Sequence, residues 1–392
     1  MSWRTGSLIS LRERFVLLVL ARRERIVRLC RRFHIGRTTG YKWVRRYRQH
    51  GRAGLSDQSR RPRRSPRQLT LRWQRALRQL RRRHPTWGPL KLRARLRQLH
   101  PRVRLPSART LGRWLCRWQL VSTRPRHQRR GPELPPLART VARAANDVWT
   151  VDFKGWFRTG DGTRVEPLTV RDLKSCFLLA VRLLPNQSDI HARRAMRALF
   201  QRYGLPRVIR VDNGAPFGGI GPLGLSRLSV WWRRLGIRVE FSRPARPGDN
   251  AAHEQMHQIY QAEVAAAPGQ TPRAHQRRSD RWRQTYNYVR PHQTLGARTP
   301  AQCYHPSPRL FPKELPAWNY PATWLQRRVA PEGGLFWHGR YRFIGRAFGG
   351  EIIGLKTVQP GIWKIFLGQN LLGLLYQKDR SRSLRPAHHA YR

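Results

Sequence analysis

Acidic residues are scarce in this chain of 392 residues, which has Asp+Glu 20 against Lys+Arg 80, so the positions of single carboxylates are informative. Asp152 lies within an apolar, strand-like segment, VWTVDFKGWF, where a charge is costly unless it is paired or bound to a metal. Asp212 ends a second short apolar segment and precedes Asn213 and Gly214, and Glu254 lies in the first turn of a predicted helix. Strand ends and a helix can bring such side chains to one site.

Three carboxylates on two strands and a helix favour divalent-cation chemistry. Hard oxygen ligands suit Mg²⁺, for which Mn²⁺ is an expected substitute. Two ions about 3.5–4 Å apart would activate an attacking oxygen and stabilise the leaving oxygen in an in-line phosphoryl displacement. Plainer interpretations stay open: Asp152 as a satisfied edge-strand acid, Asp212 as the cap of the Asn-Gly turn, and Glu254 as a first-turn acid favoured by the helix dipole.

The net charge of +60 indicates a polyanionic partner. The first 145 residues hold 41 of the basic residues and four of the acidic ones, so a DNA-binding region is expected there, and an enzyme of small neutral substrates is disfavoured. The four cysteines fit neither a disulfide framework nor a zinc site. No segment predicts a membrane span, and we expect a cytoplasmic, DNA-associated protein.

The N-terminal region, residues 1–57, predicts a helix-turn-helix DNA-binding domain. Apolar spacing gives three helices over residues 9–50, with a break at 34–37. The third helix is capped by Thr38 and has Tyr41 on its apolar side. The helix after the turn would enter the major groove through Thr38, Thr39, Lys42 and Arg46. An ordinary basic three-helix bundle is the alternative.

Two linkers and a second helical unit follow. Residues 58–69 predict an extended basic linker, expected to contact DNA through Arg60, Arg61, Arg63 and Arg64; the alternative is a solvated linker. Residues 70–120 predict a second helical DNA-binding domain, with Thr70 capping its first helix and Ser107 its third. Residues 121–145 form a Pro-containing linker.

The remaining chain predicts two further domains. Residues 146–310 have three antiparallel strands followed by alternating helices and strands, which is typical of an α/β domain with a mixed sheet. Residues 325–380 have short strands separated by Gly-containing turns and predict a small β-barrel.

Several motifs together resemble one family. NDVWTVDFKGWF, VDNGAPF, LSRLSVWWRRLGIRVEFSRPARPGDNAAHEQMH and YNYVRPHQTLGARTPAQCY are similar to the catalytic core of bacterial insertion-sequence DDE transposases, which has a retroviral-integrase-type, ribonuclease-H-like fold. LCRRFHIGRTTGYKWVRRYRQHGRAGLSDQSRRPRRSP resembles the tandem helix-turn-helix region of the same group. The resemblance covers about residues 25–305.

The resemblance implies a site and an activity. The acidic triad falls on Asp152, Asp212 and Glu254 as ligands of two Mg²⁺ ions, and Asn213 and Asn250 fall on DNA-facing positions. The implied function is a transposase that binds the terminal inverted repeats of its element as a homo-oligomer on double-stranded DNA. It would perform 3′-end cleavage and strand transfer by two-metal transesterification, without a covalent protein–DNA intermediate.

One departure supports an alternative function. The family usually has basic residues flanking the glutamate, whereas this chain has Asp249 and Gln255, which removes positive charge beside the expected DNA. The alternative is therefore a catalytically decayed transposase that acts as a DNA-binding repressor. A ribonuclease-H-type nuclease is less consistent with the basic N-terminal region. His253, beside Glu254, is expected either to face DNA or to lie on the helix surface.

Overall fold

The computed structural model describes residues 8–58, 70–121, 139–242, 251–379, 381 and 383–385. Residues up to 68 and residues from 69 onward form two compact units. No helix in these described ranges is both long and apolar enough to cross a membrane.

The first unit is a three-helix bundle, which confirms the predicted helical organisation. Its helices are α1 (Leu8–Leu20), α2 (Ile26–Arg32) and α3 (Arg37–His50). The helix α3 begins two residues earlier than predicted, with Gly36 rather than Thr38 at the N-cap position. It passes close to its neighbours at Gly40, where a Cβ would lie 2.7 Å from Cys30 Sγ and 3.0 Å from the Phe15 ring. Glycine at this position therefore permits the close packing.

The second unit opens with three more helices. They are α4 (Leu71–Arg83), α5 (Pro89–Leu99) and α6 (Ala108–Arg117). Ser107 caps α6 as predicted, since its hydroxyl accepts a hydrogen bond from the Thr110 amide at 3.2 Å. Leu77, Leu92 and Leu111 lie fully buried between the three helices. Leu71 is exposed because it lies in the first turn, beyond that core.

A six-stranded mixed sheet follows, as the sequence predicts. Its elements are β1 (Val148–Phe153), β2 (Phe157–Arg158), β3 (Arg164–Asp172), β4 (Leu178–Leu184), α7 (Asp189–Tyr203), β5 (Val208–Val211), α8 (Arg227–Arg234), β6 (Arg238–Phe241), α9 (Ala251–Tyr260) and α10 (Pro272–Gln284). The strand order is β2-β3-β1-β5-β6, with β4 also paired to β3. The strands β1, β5 and β6 run parallel, and β3 is antiparallel to β1 and β4.

The two faces of β1 have different chemistry, because alternate side chains point to opposite sides of a sheet. Trp149 and Val151 lie in the main core with residues of α7 and α8. Thr150 and Asp152 share the other face, where side chains of α9 lie within hydrogen-bonding distance. The apolar residues thus fix the sheet, and the polar residues of the same strand face the helix that carries Glu254.

Short strands fill the C-terminal region as predicted, with an additional one at its start, but the predicted small β-barrel is not confirmed. The strands are β7 (Leu325–Arg328), β8 (Gly334–Trp337), β9 (Arg340–Phe343), β10 (Ile352–Gln359), β11 (Ile362–Leu367) and β12 (Asn370–Tyr376). They form an open antiparallel sheet, β12-β11-β10-β7, and a separate hairpin, β8-β9. The apolar face that a closed barrel would enclose packs instead against Leu225 and Val230 of the α/β region.

Candidate active site

Parallel pairing of β1 and β5 brings two of the predicted carboxylates together. Thr150 pairs with Arg210 in the register of these strands, so two residues further on Asp152 stands opposite Asp212. Asp152 is half-buried and Asp212 is exposed. Glu254 lies in the first turn of α9 and is close enough to Asp152 to interact with it electrostatically. The predicted triad therefore converges on one edge of the sheet.

An aromatic contact fixes the loop that follows Asp212. Phe153, next to Asp152, stacks on Phe217 with ring centroids 5.5 Å apart. Phe217 is 1% exposed and also stacks on Trp232. Because Phe217 anchors the far end of the loop, the segment carrying Asp212 is held against the end of β1.

The neighbouring carboxylates raise the proton affinity of Asp152. Burial, the charge of Asp212 and, more weakly, that of Glu254 raise the pKa of Asp152 to about 7, although the Phe153 amide opposes the shift. Partial desolvation also raises the pKa of Asp212, against a hydrogen bond from the Gly214 amide. Negative charge is thus concentrated at this site, and a bound divalent cation would offset the repulsion between the charges.

Two buried histidines lie directly beneath this site. His253 is 0% exposed and His257 is 9% exposed, so the expectation that His253 faces DNA or the helix surface is wrong. Their Nε2 atoms lie 2.6 Å and 2.8 Å from the hydroxyl of Thr169. Thr169 is the residue of β3 that pairs with Asp152. A single hydroxyl therefore joins both histidines of α9 to the strand beside the carboxylates.

The hydrogen bonds of this network determine which ring nitrogens carry protons. The Thr169 hydroxyl donates its proton to the carbonyl of Asp152 at 2.9 Å, so it accepts from Nε2–H of both histidines. Burial lowers the pKa of His253 well below its ordinary value and that of His257 to about 4. Neutral His253 then accepts at Nδ1 from the Thr150 hydroxyl, which lies 2.8 Å from Nδ1 and farther, at 3.3 Å, from the Arg171 carbonyl.

The same network bears on metal binding. Ligand atoms of Asp152, His253 and His257 lie within 4.8 Å of one another. However, His253 uses both ring nitrogens in hydrogen bonds to threonines. It could therefore bind an ion only if one of these hydrogen bonds were broken. The donor set that fits a hard cation is therefore the carboxylates, and the histidines hold α9 against the sheet.

Sequence reasoning missed Thr150, Thr169 and His257. A signal was present: Thr150 and Asp152 alternate on one face of β1, and His253 and His257 are four residues apart, on one face of α9. Strand pairing was needed to bring Thr169 to the same place. The predicted residues Arg60, Arg61, Arg63, Arg64 and Asn250 lie outside the described residues.

The other predicted DNA-binding residues lie on two elements. Thr38 and Lys42 are exposed on α3, whereas Thr39 is half-buried and Arg46 bonds Gln58 at 3.0 Å. Asn213 is exposed after Asp212, and its amide donates to the Ser242 carbonyl. Their roles toward DNA remain predictions.

Sequence reasoning also misplaced an aromatic residue of α3. Tyr41, expected on the apolar side, is 58% exposed, and Trp43 is buried in its place. Tyr41 is three residues after Thr38 and beside Lys42, so it extends the exposed face that is predicted to enter the groove.

Comparison with known families matches both regions. Residues 11–63 match the helix-turn-helix domain family, and residues 39–115 match a homeodomain-like family. Residues 142–247 and 235–300 match two integrase core domain families. The predicted combination of helix-turn-helix domains with an integrase-type core is confirmed.

Two curated relatives come from bacterial insertion elements. The 31.7 kDa protein of insertion element IS407 of Burkholderia multivorans is 26% identical over 183 residues, which are 46% of this chain and 64% of the relative. The 39.2 kDa protein of insertion element IS476 of Xanthomonas euvesicatoria is 29% identical over 160 residues, 40% of this chain and 44% of the relative. The matches thus span less than two thirds of either relative.

The solved structures that are similar to part of this chain include two viral ones. The HTLV-2 integrase catalytic core domain in complex with magnesium has a TM-score of 0.33 and 14% identity, covering 42% of this chain and 99% of that chain. A simian T-cell lymphotropic virus intasome in complex with PP2A regulatory subunit B56 gamma has a TM-score of 0.37 and 14% identity, covering 76% of this chain and 97% of that chain.

Proposed function

We propose that this chain, which joins helix-turn-helix domains to an integrase core of the insertion-sequence transposase type, cuts the ends of its own element and joins them to target DNA. The observation that carries the proposal is the convergence of Asp152, Asp212 and Glu254 at one sheet edge, where the charges of Asp212 and Glu254 raise the pKa of Asp152. The basic helical domains would bind the terminal inverted repeats. Because two ends must meet one target, we propose at least a dimer on DNA.

The carboxylates would hold Mg²⁺, in a two-ion arrangement in which Mn²⁺ can substitute. Mg²⁺ bound there would activate the attacking oxygen, first of water and then of the freed 3′-hydroxyl, and would stabilise the leaving oxygen. The protein's own contribution is positioning: the Phe153–Phe217 stack holds the loop of Asp212, and the Thr169 network holds the helix of Glu254.

The test of this function uses the DNA that flanks the gene. We expect that duplexes carrying the terminal repeats will be cleaved at the element end and joined to a target duplex in Mg²⁺, and left intact in EDTA. Labelled products on a denaturing gel measure both steps. Tight, specific binding without cleavage in Mg²⁺ would instead support the repressor alternative, and cleavage of RNA–DNA hybrids without end preference would support the nuclease.

The raised pKa of Asp152 predicts a pH dependence. Its carboxyl has a pKa of about 7 in the folded chain against an ordinary 3.8, so protonated Asp152 stabilises the metal-free fold. That contribution is complete below about pH 4 and is lost as the pH rises through 7. Mg²⁺ must displace this proton, so we expect it to raise the melting temperature more at pH 8 than at pH 6.

Thermal unfolding at both pH values, with Mg²⁺ or EDTA, measures this difference. Asp152→Asn should remove the Mg²⁺ effect at pH 8. A Mg²⁺ effect that is equal at both pH values, or that is unchanged in Asp152→Asn, would contradict the assignment of Asp152 as a ligand.

A further inference from the structure

The helix that carries Glu254 does not end at Tyr260. It continues as a π-helical turn over Gln261–Ala265, and its backbone stays helical through Ala266. Turns of this kind are rare and are frequently found at functional sites. Here the turn presents Glu263, so one helix carries a proposed metal ligand near its start and a second acid near its end.

Glu263 accepts hydrogen bonds from three elements. Its Oε2 accepts from Trp282 Nε1 at 2.5 Å, and its Oε1 accepts from Arg290 Nη1 at 2.9 Å. The same Oε1 accepts from the hydroxyl of Thr86. Trp282 and Arg290 belong to the α/β region, whereas Thr86 lies in the connection between α4 and α5 of the second helical domain. Glu263 is thus a junction between that domain and the helix of Glu254.

Buried contacts surround this junction. Trp87 is 1% exposed, and the guanidinium of Arg290, itself 3% exposed, lies 5.8 Å from its ring centroid. Val289 packs against the apolar cluster of the second helical domain. Burial also lowers the pKa of Lys91 on α5. The α4–α5 connection therefore packs on the α/β region. A displacement of the second helical domain would change the contact that this connection makes with Glu263.

We infer that Glu263 is a positioning residue through which DNA bound by the second helical domain sets the placement of Glu254. The inference rests on the proposed function. Nine residues of helix separate the two acids, roughly 13 Å at 1.5 Å per residue. Met256, Tyr260 and Val264 pack this helix on one side, so it moves as one body. Coupling between two sites needs a structural element that has two arrangements. In the two arrangements inferred here, the Thr86 hydroxyl either donates to Glu263 or has moved away from it.

Thr86→Val tests the inference, because valine keeps the shape of threonine and removes the hydroxyl. Thr86→Ser keeps the donor. A second control is Gln98→Ala, which removes a different contact between the same domains, from Gln98 Nε2 to the Ala297 carbonyl at 3.4 Å. Hydrogen exchange of amides 255–265 is measured in the full chain, free and bound to a terminal-repeat duplex, alongside affinity for that duplex.

We expect Thr86→Val to exchange faster than wild type at amides 255–265 in the free protein and to lose the protection that the duplex gives. Its affinity should stay within about threefold of wild type, and cleavage of saturating duplex should fall about tenfold. Both controls should behave as wild type. Unchanged exchange in Thr86→Val, or an equal change in Gln98→Ala, would overturn the inference. Hydrogen exchange can be measured whether or not the protein cleaves DNA. A wild-type protein that fails to cleave the duplex would therefore refute only the proposed function.

Discussion

Asp212→Asn is expected to abolish DNA cleavage and joining while leaving DNA binding intact. The substitution preserves the size of the side chain and removes one anionic oxygen at the point where β1 and β5 meet. A loss of roughly a thousandfold in rate corresponds to about 4 kcal/mol of transition-state stabilisation. Binding should persist because it is assigned to the basic helical domains, in which Asp212 takes no part.

The measurement compares single-turnover cleavage of a terminal-repeat duplex with its affinity, for wild type and mutant at equal salt, since phosphate contacts make affinity strongly salt-dependent. Asp161→Asn is the matched control. It makes the same chemical change in the β2–β3 hairpin, where Asp161 accepts hydrogen bonds from Thr159 and Thr163. Strand transfer at the wild-type rate by Asp212→Asn would refute the triad.

Asp212→Asn should also change the titration of Asp152. The charge of Asp212 is one cause of the raised pKa of Asp152. Asp212→Asn should therefore lower the pKa of Asp152 toward its ordinary value. The pH range over which the metal-free protein loses stability should move downward, which thermal unfolding between pH 5 and 8 can detect without any DNA. This readout distinguishes a mutant with an intact site from one that is misfolded.

The alternation of apolar and polar residues was sufficient to predict much of the fold. The apolar segment around Asp152, VWTVDFKGWF, indicated a strand, and Asp212 after VIRV indicated a strand end. Both features are local, so they can be read without knowing which strands pair. The same holds for Ser107, which caps α6 through its own hydroxyl.

Features that depend on distant pairing could not be predicted. Thr169 joins the site only because β3 pairs with β1 in a register that places it opposite Asp152. Glu263 contacts Thr86 across 177 positions of the sequence. The C-terminal strands other than β7 were located correctly, but whether their sheet closes depends on the residues that cover it, here Leu225 and Val230.

Thr169→Val should have the largest effect of any change outside the carboxylates. The Thr169 hydroxyl donates to the Asp152 carbonyl and accepts from both His253 and His257. Valine has nearly the same shape, so it leaves two buried Nε2–H groups without their acceptor, at a cost of about 2–4 kcal/mol in the free energy of unfolding. We also expect cleavage to slow by about 10- to 100-fold, as is typical when a group that orients metal ligands is removed.

Thr169→Ser and Thr150→Val separate positioning from folding. Serine retains the hydroxyl and should restore both stability and rate. Thr150→Val removes the partner of His253 Nδ1 and a weaker 3.3 Å contact with the Arg171 carbonyl, and it should have an intermediate effect. The informative quantity is the Mg²⁺ concentration for half-maximal cleavage. It should rise in Thr169→Val because Glu254, one residue from His253, no longer has a fixed place. If Thr169→Val lost stability but kept the wild-type Mg²⁺ dependence, the network would serve the fold alone, and α9 would owe its position to Met256, Tyr260 and Val264.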